Sequence, residues 1–225
     1  MALSPHEEEK RIYELAKEYL KKKPLFHLDE IIDFMVNRLN SNDNFNRRKI
    51  NKLIKALIKK KRLVPGSKLV RDDILEVQKR VEILDFITAM PGTYIKEIMD
   101  YNEVGANQAI WHLKYLEKFG FIRSKKFGNQ KAYFKANFRE EYDEIFFYLR
   151  NSKVKKIINL LKETEAINPT EISDRLSIHY NTIRKYLNIL KKFNLLVEID
   201  EKHKKEYLLN QDMLDVIQKV IENLK

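Results

Sequence analysis

Apolar residues recur every three or four positions along most of the chain, and short turn signals rather than polar linkers separate the stretches that carry this period. The pattern predicts helices over 7–22, 28–39 and 46–62, then over 78–90, 94–100 and 106–119. Pro91-Gly92 stops the fourth, and 101–105 makes the turn between the last two. Gly120 fits a left-handed helix cap. Beyond it, FIRSKKFGNQKAYFK alternates apolar and polar about Gly128-Asn129, as a two-stranded hairpin does. LVPGSKLV, earlier in the chain, reads as a minimal hairpin.

The pattern also repeats. At an offset of 74 residues, 93–133 aligns with 167–207 without a gap. Glu97-Ile98 then matches Glu171-Ile172, Asn107 matches Asn181, and Leu113, Leu116, Phe119 and Tyr133 match Leu187, Leu190, Phe193 and Tyr207. Helical periodicity alone would not hold this register through a turn and a strand pair. In the second copy Asn194 stands in place of Gly120, and Asn tolerates the same left-handed conformation.

The run PGTYIKEIMDYNEVGANQAIWHLKYLEKFGFIRSKKFGNQKAYF resembles the winged helix domains of archaeal transcription regulators related to the ArsR and MarR groups. Its specific features are the PG, His112-Leu113, LEKFGFI at the end of the third helix, and a basic wing closing on Tyr133-Phe134. NPTEISDRLSIHYNTIRKYLNILKKFNLLVEID resembles the same domain, and 1–75 carries a fainter version. The resemblance implies a mainly α fold with small β-hairpin wings, arranged as tandem winged helix–turn–helix domains. The expected organisation is a divergent, strongly basic unit over 1–75, a second over 76–138, a connecting helix over 139–152, a third unit over 153–210, and a C-terminal amphipathic helix over 211–225.

Composition narrows the partner class. With 44 Lys and Arg against 33 Asp and Glu, the net charge is +11, which suits a polyanion, with double-stranded DNA first. The absence of cysteine excludes disulfides, thiolate metal sites and cysteine nucleophiles. The polar, acidic N-terminus does not read as a signal peptide and no apolar run approaches a membrane span, so a soluble cytoplasmic protein acting at the nucleoid is expected.

The sharpest charge signal is NFNRRKINKLIKALIKKKRLVPGSKLVR, 44–71, which holds many bases and no acid. With Ile50, Leu53, Ile54, Leu57 and Ile58 buried, Arg47, Arg48, Lys49, Asn51, Lys52 and Lys55 are left for phosphates and base edges. In the second unit Asn107 and Gln108 could read adenine, with Lys114 beside them. The single tryptophan, Trp111, lies on the same face and counts among the candidate DNA contacts, although large apolar groups such as Ile110 and Trp111 on a recognition face are often buried against another protein surface. Its wing offers Lys125, Lys126, Asn129 and Lys131 to the backbone. The third unit exposes Tyr180, Asn181, Thr182, Arg184, Lys185 and Asn188, the best base-reading set, although Tyr180 and Asn181 could instead serve as helix entry and cap. Its wing, EIDEKHKKEY, is mixed in sign, and weaker phosphate contact is expected there.

No HExxH, Walker A, GxSxG or dinucleotide glycine pattern occurs, so neither an enzyme nor a cofactor or metal site is expected. His112 reads as a satisfied, half-buried group rather than a ligand. The function read from the chain is a DNA-binding transcriptional regulator or architectural factor. The rival reading is a protein-interaction module, as tandem winged helices are in ESCRT-II subunits, and RNA binding shares the same charge. The apolar residues of 140–151 must be covered. The C-terminal stripe of Met213, Leu214, Ile217, Val220, Ile221 and Leu224 can pair two copies as a homodimer or pack back on its own chain. A protein partner at the Trp111 face remains open beside it.

Overall fold

The structure, a computed structural model, describes residues 3–23, 25–39, 45–201 and 204–222. These residues form twelve α-helices and two small antiparallel sheets, so the protein is mainly helical. The chain divides into two compact units, residues 1–84 with 99–123 and residues 85–98 with 124–225.

The first unit opens with α1 (Pro5–Lys22), started by a capping box in which Ser4 and Glu7 bond each other's backbone N–H. α2 (Leu28–Arg38) and α3 (Arg47–Lys59) complete a three-helix core. Ile12, Tyr13 and Ala16 of α1 meet Ile31, Ile32 and Met35 of α2 and Ile50, Ile54 and Leu57 of α3. The expected hairpin over LVPGSKLV does not form: 63–70 is a chain of turns and bends. Pro65 offers no N–H to a ladder, Gly66 N–H donates to the Phe26 carbonyl, and the Ser67 hydroxyl accepts from Leu69 N–H. The short α4 (Arg71–Ile74) follows, and α5 (Gln78–Ala89) begins in this unit. α6 (Ile95–Asn102) ends in it, and α7 (Ala106–Lys118) buries Ala109, His112, Leu113 and Leu116.

The second unit holds β1 (Thr93–Tyr94), most of β2 (Ile122–Phe127), and β3 (Gln130–Lys135), in the sheet order β1-β3-β2. Gly92 enters this sheet at φ +80°, and a Cβ there would lie 2.9 Å from the Phe147 backbone nitrogen, so the PG signal also serves a close approach. The connecting segment is a 3-10 turn (Glu140–Tyr142) and α8 (Asp143–Leu149), which bury Ile145 and Phe146. Next come α9 (Ser152–Lys162), α10 (Pro169–Leu176), α11 (Tyr180–Lys192), the hairpin β4 (Leu196–Glu201) and β5 (Lys204–Leu209), and α12 (Gln211–Glu222). Val154, Ile157, Ile172, Ile183, Leu187 and Leu190 centre the core. α12 packs back on it through Ile217, with Met213 and Leu214 partly buried beside it. The side chains of Val220, Ile221 and Leu224, which belong to the same stripe, lie outside the described residues.

The repeat offset governs backbone detail. Thr93 pairs with Tyr133 and, 74 residues on, Ile167 bridges Tyr207. Glu103 and Ser177 are both left-handed, at φ 53° and 52°, and so are Gly120 and Asn194, at 69° and 56°. A third member joins at an offset of 59: α3, α7 and α11 are each 13 residues long, and Lys61 takes φ 54° two residues past the end of α3. Each of the three helices closes with the same pair of bonds. Arg62, Phe121 and Leu195 N–H reach back to the carbonyls of Leu57, Leu116 and Leu190, while Lys61, Gly120 and Asn194 reach those of Ile58, Glu117 and Lys191. This is the Schellman closure, which satisfies carbonyls that a helix end leaves open.

Candidate nucleic-acid interface

Helix α11 presents a broad polar face because its buried stripe is narrow. Ile183, Leu187 and Leu190 point into the core, which leaves Tyr180, Asn181, Arg184, Lys185 and Asn188 exposed and Thr182 partly buried. The helix entry is made by His179, whose Nδ1 accepts from Asn181 N–H at 3.2 Å. The Asn181 side chain is therefore not the cap. An open groove of about 770 Å³ runs beside this face, walled by Tyr180, Arg184, Asn188 and Lys191 of α11, by Asn168, Pro169 and Thr170 at the start of α10, and by Glu198, Lys205 and Tyr207 of the hairpin. Asn168 caps α10 by accepting from Glu171 N–H at 3.0 Å. Helix N-terminus, exposed polar helix and hairpin around one groove form an arrangement that can straddle a phosphate backbone while the helix enters a groove of the duplex.

Glu198 stands inside this groove. Its carboxylate accepts from Lys205 Nζ at 2.8 Å, from the Tyr207 hydroxyl at 3.3 Å, and from Lys191 Nζ. The lysine hydrogen bonds pull its pKa down to about 2, so it is ionised at any physiological pH.

Residues 153–207, which include α10, α11 and most of the hairpin, match the helix-turn-helix domain family described as "HTH domain". Over 174 residues, 75% of this chain, the sequence is 29% identical to a protein of Methanocaldococcus jannaschii described as an uncharacterized HTH-type transcriptional regulator. The match spans 43% of that relative's length, so the chain covers less than half of it.

The other expected contacts divide. On α3, Arg48, Lys52 and Lys55 are exposed along an open groove of about 690 Å³ that Asn46, Lys49 and Asn51 also border. Arg47 and Lys49 are engaged by acids from elsewhere in the chain. Arg47 is paired with Asp33, and Lys49 bonds Glu8 at 2.5 Å. Farther along the basic run, Lys60 and Arg62 share Glu9 at 2.6 and 3.7 Å. Asn51 is half-buried at the edge of this groove, and its amide oxygen is buried without a hydrogen-bond partner.

On α7, Asn107, Gln108 and Lys114 are exposed as expected. Trp111 is 47% exposed, and its ring covers the buried Arg80 guanidinium, which lies 4.7 Å from the ring centre and equally far from that of Tyr115. Arg80 donates to the Ile74 carbonyl at 3.1 Å. His112 is fully buried rather than half-buried, and neither ring nitrogen has a hydrogen-bond partner, so the expected satisfied group is an unsatisfied one. Burial, and then the charges of Arg80 and Lys79, lower its pKa and keep it neutral. Tyr101, Ile110 and Trp111 are exposed large apolar residues on α6 and α7.

In the second unit the wing cations are partly engaged. Lys125 lies 3.5 Å from the wholly buried Asp143, and Lys131 sits over the Tyr133 ring. Lys126 is exposed. Asn129 joins Lys155, Lys185, Phe147 and Tyr148 around a second concavity of about 660 Å³. Sequence reasoning missed Asn168, Thr170, Lys191, Glu198 and Lys205 as groove residues. The alternation of EIDEKHKKEY held a signal, since it places Glu198 opposite Tyr207 across the hairpin.

Proposed function

We propose that the protein is a DNA-binding transcription regulator that acts by binding rather than by catalysis, with α11 as its principal reading helix. The observation that carries this is the exposed row of Asn181, Arg184, Lys185 and Asn188 beside the groove walled by α10 and the β4-β5 hairpin. Asn is suited to adenine and Arg to guanine in the major groove. The match of 153–207 to a helix-turn-helix family and the likeness to an HTH-type transcriptional regulator support the reading. Three units in tandem fit the common register and common closure of α3, α7 and α11, the first without a hairpin and the other two with one. In this arrangement Arg48, Lys52 and Lys55 serve phosphates, while α11 serves bases. The net charge of +11 supplies the long-range attraction, and the protein acts at the nucleoid in the cytoplasm.

The test is duplex binding by fluorescence anisotropy across a salt series. Log affinity falls linearly with log salt at a slope of roughly −5 to −7 if about six to eight phosphates are contacted. Arg48→Ala with Lys52→Ala makes the slope shallower by about 0.9 for each phosphate no longer neutralised, and weakens all duplexes alike. A flat salt response in the wild type contradicts DNA binding.

The exposed Tyr101, Ile110 and Trp111 favour a second role for α7, as a surface for a protein partner. A homodimer through α12 has less support, because Ile217, the centre of its stripe, is already buried in its own unit.

A further inference from the structure

The groove beside α11 is a place for a polyanion, yet the side chain at its hairpin wall is a carboxylate. Glu198 collects three donors from two elements, Lys191 at the end of α11 and both Lys205 and Tyr207 on β5. An ionised carboxylate only accepts hydrogen bonds, so it cannot bond a phosphate, and it repels one. Most of its acceptor capacity is turned inward, with Lys191 and Tyr207 on one oxygen and Lys205 on the other. What it does is hold the ammonium groups of Lys191 and Lys205, the two lysines that wall the groove.

We propose that Glu198 is a built-in brake on DNA binding at this groove: it keeps Lys191 and Lys205 in intramolecular ion pairs that a phosphate backbone must displace before it can seat. The inference rests on the DNA-binding reading given above and concerns how that site is regulated. The repeat supplies an independent observation. In the 74-residue register Lys205 and Tyr207 correspond to Lys131 and Tyr133, which are the same residue types, whereas Glu198 corresponds to the uncharged Ser124. The second strands of the two hairpins thus share Lys and Tyr, whereas the pair that meets them differs: Glu198 and Lys191 stand where the earlier copy has Ser124 and Glu117, beside a helix that carries Arg184 and Lys185 in place of Ile110 and Trp111. The low pKa of Glu198 means that the brake stays set across the physiological range and is released by competition from phosphates rather than by protonation.

The experiment compares wild type, Glu198→Gln and Glu165→Gln in the full chain. Glu165 is an exposed residue outside the groove, and its substitution removes one negative charge without freeing these lysines. Glu198→Gln should bind random and selected duplexes roughly tenfold more tightly near 0.1 M salt, with a slope steeper by up to about 1.8 as two more phosphates are contacted. Glu165→Gln should change affinity by less than about twofold, as expected of an exposed charge. Adding Lys191→Gln to Glu198→Gln should return about half of the gain. Glu198→Ser, which installs the residue type found at position 124, serves if the Gln variant fails to fold by circular dichroism. Wild-type binding with no tightening in Glu198→Gln, or tightening matched by Glu165→Gln, overturns the brake and leaves the DNA reading standing. Weaker binding by a folded Glu198→Gln overturns it as well, because the carboxylate would then support the site. Absence of duplex binding by the wild type overturns the DNA reading, and the brake with it.

Discussion

Helices α7 and α11 are the same object in backbone and core and different objects on the surface. Both are 13 residues long, and both end in the same closure. Both turn Leu at matching positions inward, Leu113 and Leu116 against Leu187 and Leu190. Yet where α11 presents Arg184 and Lys185, α7 presents Ile110 and Trp111. Trp111 is held in place by the cation beneath it, since Arg80 is removed from water and is stabilised by the two aromatic faces that cover it. A buried stripe of three positions fixes a helix in its fold and leaves the opposite face unconstrained. One scaffold can therefore carry a polar, basic face in one copy and an apolar face in another.

The largest test of the shared part is in the core. Leu113→Ala and Leu187→Ala should each cost about 2–5 kcal/mol in urea unfolding, as buried Leu truncations do. A destabilisation below about 1 kcal/mol at either site would break the equivalence of the two helices.

The next test concerns the surfaces. Asn181→Ala and Arg184→Ala should each erode preference for a selected site over random duplex by ~1–3 kcal/mol. The register counterparts Asn107→Ala and Ile110→Ala should leave that preference nearly unchanged. Equal erosion from both helices would show that α7 also reads bases and would sharpen the comparison in favour of a double reader.

The smallest effect is at the helix ends. Ala in the left-handed conformation costs about 1–2 kcal/mol, so Gly120→Ala and Asn194→Ala should both destabilise. Gly120→Ala should cost more, because its Cβ would also meet the Lys61 side chain at 2.7 Å, and because Asn in this conformation is itself less favourable than Gly. Asn194→Gly should accordingly gain a few tenths of a kcal/mol. An Asn194→Ala variant of unchanged melting temperature would contradict the common closure.

What could be read from the chain follows the same division. The 74-residue register, the left-handed role of Asn194 and the inward stripe of α11 are local consequences of residue type and spacing, and each is legible in the sequence. The 59-residue register of α3 is not, because 1–75 shares few identities with the later copies and the relation appears only in helix length and closure. Long-range pairing is likewise hidden. The acid-free run reads as wholly available for phosphates, but Lys49 meets Glu8 from 41 positions earlier and Lys60 meets Glu9 from 51. The mixed wing reads as merely weaker, whereas folding gathers its Glu198 and Lys205 with Lys191 of α11 into one cluster.

The central claim is that α11 reads bases in duplex DNA, and the most direct measurement is site selection from a random duplex pool by the wild type and by Arg184→Ala. The account predicts that the wild type enriches a motif and that Arg184→Ala enriches the same motif with preference abolished at one position, a guanine. Enrichment of no motif by the wild type, or of an unchanged motif by the variant, would contradict it.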